Sequence, residues 1–463
     1  MKNSKISSIT SVSTKFNALD FGVLRDDKGR IKINYDRLIK GYLNIRSVAH
    51  HPESKAYYMY DKRGFWREID INDIEKDIIS ILDNIVPDFV SSNLLNEIKS
   101  ILPTRCISTK ELKDASNYIN VRNGLLSLKT FKLRKHDKKF FSRKQLPFDY
   151  NPEATAHEWK AFVKTVFLGD IQLCRLLQEI TGYILTSNTY AQKFFILYST
   201  GSSGKSIYCQ IIKRLVGGEK YVSSVTISKL NDKFARSQLY EAAVNISPEN
   251  EAERFDTEAI KTISSGDSIQ IEKKGLQAFT ATITAKLVFC VNKIPVPKDT
   301  SYAIYRRMII VPFLARFTHQ PKRKNEFLIN PDKLNDLTPE LEGILAWAIR
   351  GLKRLIKNDY KFVHSDKADG LLKSFRRDVD PVLDFLKSAL KADRTSKLSY
   401  EKLYEIFENY RKSNGIRATK ERKEFIKELR YHLEQENIVV KKKHSNDIYF
   451  LKGIAFKKSL INE

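Results

Sequence analysis

Acidic residues are scarce in this chain: across 463 residues, 55 Asp and Glu face 81 Lys and Arg, leaving a formal net charge of +26 and a sequence pI of about 9.6. A surface so short of carboxylates attracts and retains polyanions. Cysteine is scarcer still. Cys106, Cys174, Cys209 and Cys290 lie far apart and form no C-x-x-C pair. That excludes a zinc ribbon and a disulfide framework and fits a reducing compartment. No uninterrupted apolar run reaches the roughly 18 residues of a membrane span; the longest candidate, Ala278 to Val291, is broken by Lys286. The first ten residues lack a hydrophobic signal core, so the chain reads as intracellular and not secreted. Internal repeats and low-complexity segments are absent too. Aromatics at 11% exclude a simple disordered basic tail. With neither an amphipathic basic helix nor a lipid motif in view, the expected polyanion is nucleic acid and not a membrane. Heavy use of Lys, Ile and Asn hints at an AT-rich genome, compatible with cytoplasm or an organelle stroma, a plastid among them.

What the chain does have is a phosphate-binding loop. The apolar run Phe194 to Tyr198 leads into Ser199-Thr200-Gly201-Ser202-Ser203-Gly204-Lys205-Ser206, and a helical pattern follows through Ile207, Ile211, Ile212 and Leu215. Gly201 and Gly204 let the backbone N–H groups of the loop turn toward phosphate oxygens, those of Ser202 and Ser203 among them. Lys205 can reach the β- and γ-phosphates, and the Ser206 hydroxyl can ligate Mg²⁺. Ser199 stands where the motif usually opens with glycine. A plain Gly/Ser loop before a helix is the alternative, but the flanking strand and helix favour ATP or another nucleotide with Mg²⁺.

Downstream residues fall at spacings that a nucleotide-hydrolysing sheet needs. Ala242 to Ser247 reads as a second strand ending at Pro248-Glu249-Asn250-Glu251. Glu249 there could hold Mg²⁺ or orient the attacking water, with Glu251 as the fallback; a surface loop carrying acids is the alternative. Lys286 to Val291 reads as a third strand ending at Asn292, which could position that water or simply cap a turn. Arg306-Arg307 precede the strand Met308 to Pro312 and could supply an arginine finger to a neighbouring subunit, or form an ordinary basic surface pair.

Coarse periodicity divides the chain into an N-terminal tail (1–50), a mainly helical region (51–190), the phosphate-loop core (191–320), a helical segment (321–375) and a last basic unit (380–463). The second region holds short strands around Asn123-Gly124, a turn signal. In the last unit, helical patterns at Val382–Leu386, Leu398–Tyr410 and Phe425–Leu433 precede two strands, Ile438–Lys443 and Ile448–Leu451, which is a winged-helix pattern. From Lys397 onward it carries 16 basic and 10 acidic residues, an excess that favours duplex or fork binding; protein docking is the alternative.

Several segments together resemble the superfamily 3 helicases, in the branch of plasmid and phage primase-helicases and the poxvirus primase-helicase. They are Asn292-Lys293-Ile294-Pro295, Arg306-Arg307 with Pro312-Phe313, Gly266-Asp267 and Lys273-Lys274. Outside the core the likeness continues through Asn123 to Leu128, Leu146 to Tyr150, Trp159 to Phe162, Leu177 to Tyr183 and Glu340 to Ala348. The resemblance covers roughly residues 50 to 455. It implies an α/β fold: an AAA+-like P-loop ATPase core with an N-terminal mainly helical domain and a C-terminal winged-helix domain. Under it Gly204, Lys205 and Ser206 match the phosphate loop, Glu249 the second-strand acid, Asn292 the sensor asparagine, and Arg307, or else Arg306, the arginine finger. Pro248 departs from the acid often found before that Glu. Gly266 to Lys274 is similar to the start of a hairpin that projects into a ring's central channel, where Lys273 and Lys274 would grip single-stranded DNA. The implied activity is ATP-dependent DNA unwinding in replication of a plasmid, phage or organellar element. The implied assembly is a homo-oligomer, a hexameric ring. The first hundred residues show no Asp-x-Asp pair on a strand, so no primase activity is expected, with a separate primase as a possible partner. The alternative is an ATP-switched DNA-binding initiator or loader with weak or no unwinding.

Overall fold

A computed structural model describes residues 16–87, 89–247, 254–274, 278–445 and 448–457. At the N-terminal end, Asn34 caps a helix over Tyr35–Ile45 by accepting from the Arg37 N–H. That helix buries Leu38, Ile39 and Tyr42 against the helices Ile71–Asp83 and Ser92–Arg105. The expected tail over 1–50 is therefore folded from Asn17 onward, because an apolar stripe at helical spacing lies among its charges; residues 1–15 lie outside the described residues. In the region 51–190, expected to be mainly helical with short strands, the helices Ile71–Asp83, Ser92–Arg105, His157–Val166 and Ile171–Ile184 are joined by sheet. Phe65–Ile69, Tyr57–Asp61, Val48–His50 and Ile107–Ser108 form a four-stranded sheet in that order, and Arg122-Asn123 turn the hairpin Tyr118–Val121/Gly124–Ser127, with Gly124 opening its second strand.

The centre of the molecule is a five-stranded sheet of β1 (Phe194–Tyr198), β2 (Val222–Ser223), β3 (Val244–Ser247), β4 (Lys286–Val291) and β5 (Met308–Pro312). Its spatial order is β2-β3-β4-β1-β5, and every neighbouring pair is parallel. Both faces are covered, which is why β1 and β4 read as continuous apolar runs. Phe195 and Leu197 face α1 (His157–Val166), α2 (Ile171–Ile184), α3 (Lys205–Leu215) and α4 (Leu341–Lys357); Phe194 and Ile196 face the opposite core, with Ile260 and Ile263. Helices α2 and α4 approach closely at two glycines. A Cβ on Gly182 would strike the Ala348 carbonyl, and one on Gly351 the Gln178 carbonyl. Buried Glu179 joins the pair by accepting from Arg354 Nε at 2.6 Å.

Before β4 the chain makes an antiparallel hairpin, Ser268–Ile271 with Phe279–Thr282. Helix α5 (Asp366–Val379) then leads to a C-terminal unit of α6 (Pro381–Ala389), β6 (Leu390–Ser399), α7 (Tyr400–Ser413), α8 (Arg422–Gln435), β7 (Lys441–Ser445) and β8 (Ile448–Phe456). Its core gathers Val382, Phe385, Leu403, Phe407, Phe425 and Leu429. The sheet order is β6-β8-β7. Sequence reading found the helices and the last two strands but missed β6, whose Lys391-Ala392-Asp393-Arg394 carries no strand-like alternation.

Candidate nucleotide site

The loop after β1 leaves the sheet at its C-terminal edge and enters α3 through left-handed backbone at Gly204 (φ 86°), after φ 121° at Gly201 and 44° at Ser202. A Cβ on Gly201 would meet nothing within 4 Å, so that glycine is required by conformation and not by crowding. Gly204 is crowded as well, because a Cβ there would press on Phe162 at 3.1 Å. Ser199, the departure from the usual glycine, is buried and closes the loop from inside: its Oγ lies 2.8 Å from Ser203 Oγ and accepts weakly from the Gly201 N–H at 3.4 Å. The N-terminus of an eleven-residue helix thus opens on a glycine-shaped cradle, which suits a phosphate.

Lys205, the first residue of α3, is buried. Its Nζ donates to Val291 O at 2.9 Å, Asn292 Oδ1 at 2.9 Å and Ser199 O at 3.4 Å. Asn292 reaches it from the end of β4, the strand beside β1. Ser206 is exposed one position on and lines the same cleft. That cleft, about 640 Å³, runs from the loop to an apolar wall of Phe162, Phe317, Phe327 and Leu328. Phe317 stacks on Phe162 (6.4 Å, 23°), and its N–H donates to Ser202 O at 2.7 Å. Sequence reading missed this wall. Phe162 reads there as a helix core residue, and nothing in Arg316-Phe317-Thr318 signals a pocket.

The other expected site residues separate. β3 ends at buried Ser247, next to β4. Pro248, Glu249 and Glu251 lie outside the described residues. Arg306 and Arg307 sit at the opposite edge of the sheet, because β5 runs parallel to β1 with Met308 beside Phe194. They are about 16 Å of strand away from the phosphate loop. The two arginines also differ. Arg307 is buried, with Nη1 donating to Ala303 O at 2.8 Å and Nη2 to Ser265 Oγ at 2.7 Å; burial, and then the Arg306 charge, lower its pKa. Arg306 is exposed, and its side chain donates to Gln192 Oε1 at 2.9 Å. The two hairpin lysines diverge too. Lys273 leans back over the Tyr240 ring, 3.8 Å from Glu68, while Lys274 is exposed beside the hairpin tip.

Three family models match the chain in succession: D5 N terminal like over residues 36–168, a family of unknown function (DUF5906) over 197–307, and Poxvirus D5 protein-like over 377–458. Two curated viral relatives are similar across much of it. "Putative helicase L207/L206" of Acanthamoeba polyphaga mimivirus is 23% identical over 54% of this chain and 28% of the relative. "Putative helicase 121R" of Invertebrate iridescent virus 3 is 21% identical over 67% and 37%. The chain thus spans about a third of the length of the relatives it matches. Among solved structures, the apo NrS-1 C-terminal region is similar in two determinations. One is 10% identical with TM-score 0.47, covering 88% of this chain and 95% of that one. The other is 11% identical with TM-score 0.48, covering 92% and 100%. The D5-type matches at both ends, with the viral relatives, support the phage- and poxvirus-type primase-helicase family of superfamily 3. Among the described residues no helix is long and apolar enough to cross a membrane.

Proposed function

We propose that this chain is an ATP-dependent DNA helicase acting in replication, with Mg²⁺ as cofactor and a ring of identical subunits as the working form. The observation that carries this reading is the meeting of Lys205, which lines the cleft beside Gly204, with Asn292 at 2.9 Å, 87 residues further along the sequence. The lysine would hold the phosphates there, and the asparagine would sit where an attacking water must be placed. Ser206 would ligate Mg²⁺, and Glu249 would complete the metal and water handling. The sheet order β2-β3-β4-β1-β5, with a hairpin just before β4, supports an AAA+-like core. The order α6-β6-α7-α8-β7-β8 supports a winged-helix unit. Having the arginine pair on the edge opposite the phosphate loop supports nucleotide sites shared between neighbours, with exposed Arg306 the better-placed finger.

The test measures ATP turnover with and without single-stranded DNA, strand displacement, and native mass. DNA-stimulated turnover by an oligomer that separates strands is the expected result. E249Q is expected to abolish unwinding while DNA binding persists. A monomer whose turnover ignores DNA would overturn the proposal.

A further inference from the structure

The basic excess of the C-terminal unit is not spread evenly. Helix α7 carries three acids and three bases, and α8 carries three acids and four Lys or Arg. The sheet is different. Strand pairing sets Lys397 opposite Lys452, and Lys452 opposite Lys441. Residues directly opposite in an antiparallel pair project from the same face, so three lysines stand side by side across β6, β8 and β7. In the adjacent row on that face, Ser399, Phe450 and Lys443 are aligned in the same way. Lys397 confirms the shared face, with its Nζ lying over the Phe450 ring at 5.1 Å.

All four lysines are exposed, and none pairs with a carboxylate among the described residues. The one acid of β6, Asp393, is occupied by its own turn, accepting from the N–H and Oγ of both Thr395 and Ser396. Like charges directly opposite in a sheet oppose folding. A protein that keeps three of them in line, with no acid interposed, has a surface that a polyanion would neutralise.

We propose that the row Lys397–Lys452–Lys441, flanked by Lys443, is a track for the phosphate backbone of nucleic acid, so that this unit grips its partner through the sheet and not through α8. The proposal rests on the reading of the chain as a nucleic-acid enzyme. Strands lie about 4.8 Å apart, so the row spans about 10 Å. That is about the axial rise of three phosphate-to-phosphate steps on one strand of a duplex. Ammonium groups meeting phosphates carry no base information, so the grip is independent of sequence.

The full-length protein is titrated, without nucleotide cofactor, against labelled DNA and RNA duplexes and single strands over a range of salt concentrations. K397Q/K441Q/K452Q is expected to reduce the slope of log K against log salt by about 2 to 3, and affinity at ~0.1 M salt by roughly 100-fold. K441Q alone should lower the slope by about one. K423Q/K427Q on α8 should stay within about threefold of the parent. Loss in the α8 variant instead, or unchanged binding in both sheet variants, overturns the proposal while leaving the nucleic-acid reading intact. A parent protein that binds no nucleic acid overturns that reading itself. Vesicles of phosphatidylcholine and phosphatidylserine form a further arm. Lipid binding that the sheet variant loses, with nucleic-acid binding unchanged, also overturns the proposal. Removing adjacent like charges should leave the melting temperature unchanged or higher, which separates loss of contact from loss of fold.

Discussion

The two edges of the central sheet each bury a lysine, and the two lysines are used differently. At the C-terminal edge Lys205 donates to two backbone carbonyls and to Asn292 at the mouth of an open cleft. At the N-terminal edge Lys286, the first residue of β4, is shut in: its Nζ donates to Thr186 O at 3.0 Å and Thr284 O at 2.9 Å and lies over the Tyr183 ring. Burial pulls the Lys286 amine well below its usual pKa, and nearby Lys144, brought down to about 7 by burial and by Arg143, pushes it further. Neither Lys144 nor Lys286 has a carboxylate bonded to it among the described residues. One edge therefore holds an amine where an anion can reach it, and the other uses amines as struts between chain segments. A buried lysine marks a ligand site only where its surroundings stay open.

The sharpest break of that comparison is K205A. Mg·ATP binding measured by calorimetry should vanish, and turnover should fall to background, a loss of roughly 1,000-fold or more. R306A comes next. If that arginine serves a neighbour's nucleotide, turnover per subunit should fall by about 1,000-fold while nucleotide affinity holds. R307A should instead lower the unfolding free energy by about 1–3 kcal/mol in a denaturant melt, since it strands Ser265 Oγ and the Ala303 carbonyl. F317A removes one ring from the apolar wall, and nucleotide affinity should weaken by about tenfold, the worth of one stacking contact.

The smallest effect tests the strut edge. K286M should leave nucleotide affinity unchanged. Because Lys144 and Lys286 have lowered pKa values in the folded state, the unfolded chain binds more protons between about 7 and the usual lysine range. Stability should therefore rise as pH increases through that window, and K144M/K286M should flatten the rise in a series of melts. A slope unchanged by the double substitution would end the contrast between the edges.

Much of the site was legible before any coordinates. The phosphate loop announces itself by glycine spacing between a strand and a helix, and β4 and its terminal Asn292 by an apolar run ending in a polar residue. Those signals are local, and so they survive in one dimension. The apolar wall is not local: Phe162 and Phe317 are contributed by a helix and a strand that only tertiary packing brings together. The difference between Arg306 and Arg307 is equally invisible in sequence, since adjacent residues at a strand entrance point opposite ways. At the N-terminus the helix Tyr35–Ile45 was hidden because its apolar stripe is interrupted by Asp36, Arg37, Lys40 and Asn44.

The reciprocal glycine contacts between α2 and α4 have a mechanical consequence. With Gly182 seated against the Ala348 carbonyl and Gly351 against that of Gln178, neither helix can slide a turn along the other without its backbone colliding. The Arg354–Glu179 bond pins the same pair a third time. The two helices therefore behave as one stiff beam laid along the sheet. A displacement begun at the phosphate loop, whose helix α3 packs in the same core, would pass to the far end of α4 as rigid-body motion and would not be absorbed by shear between the helices.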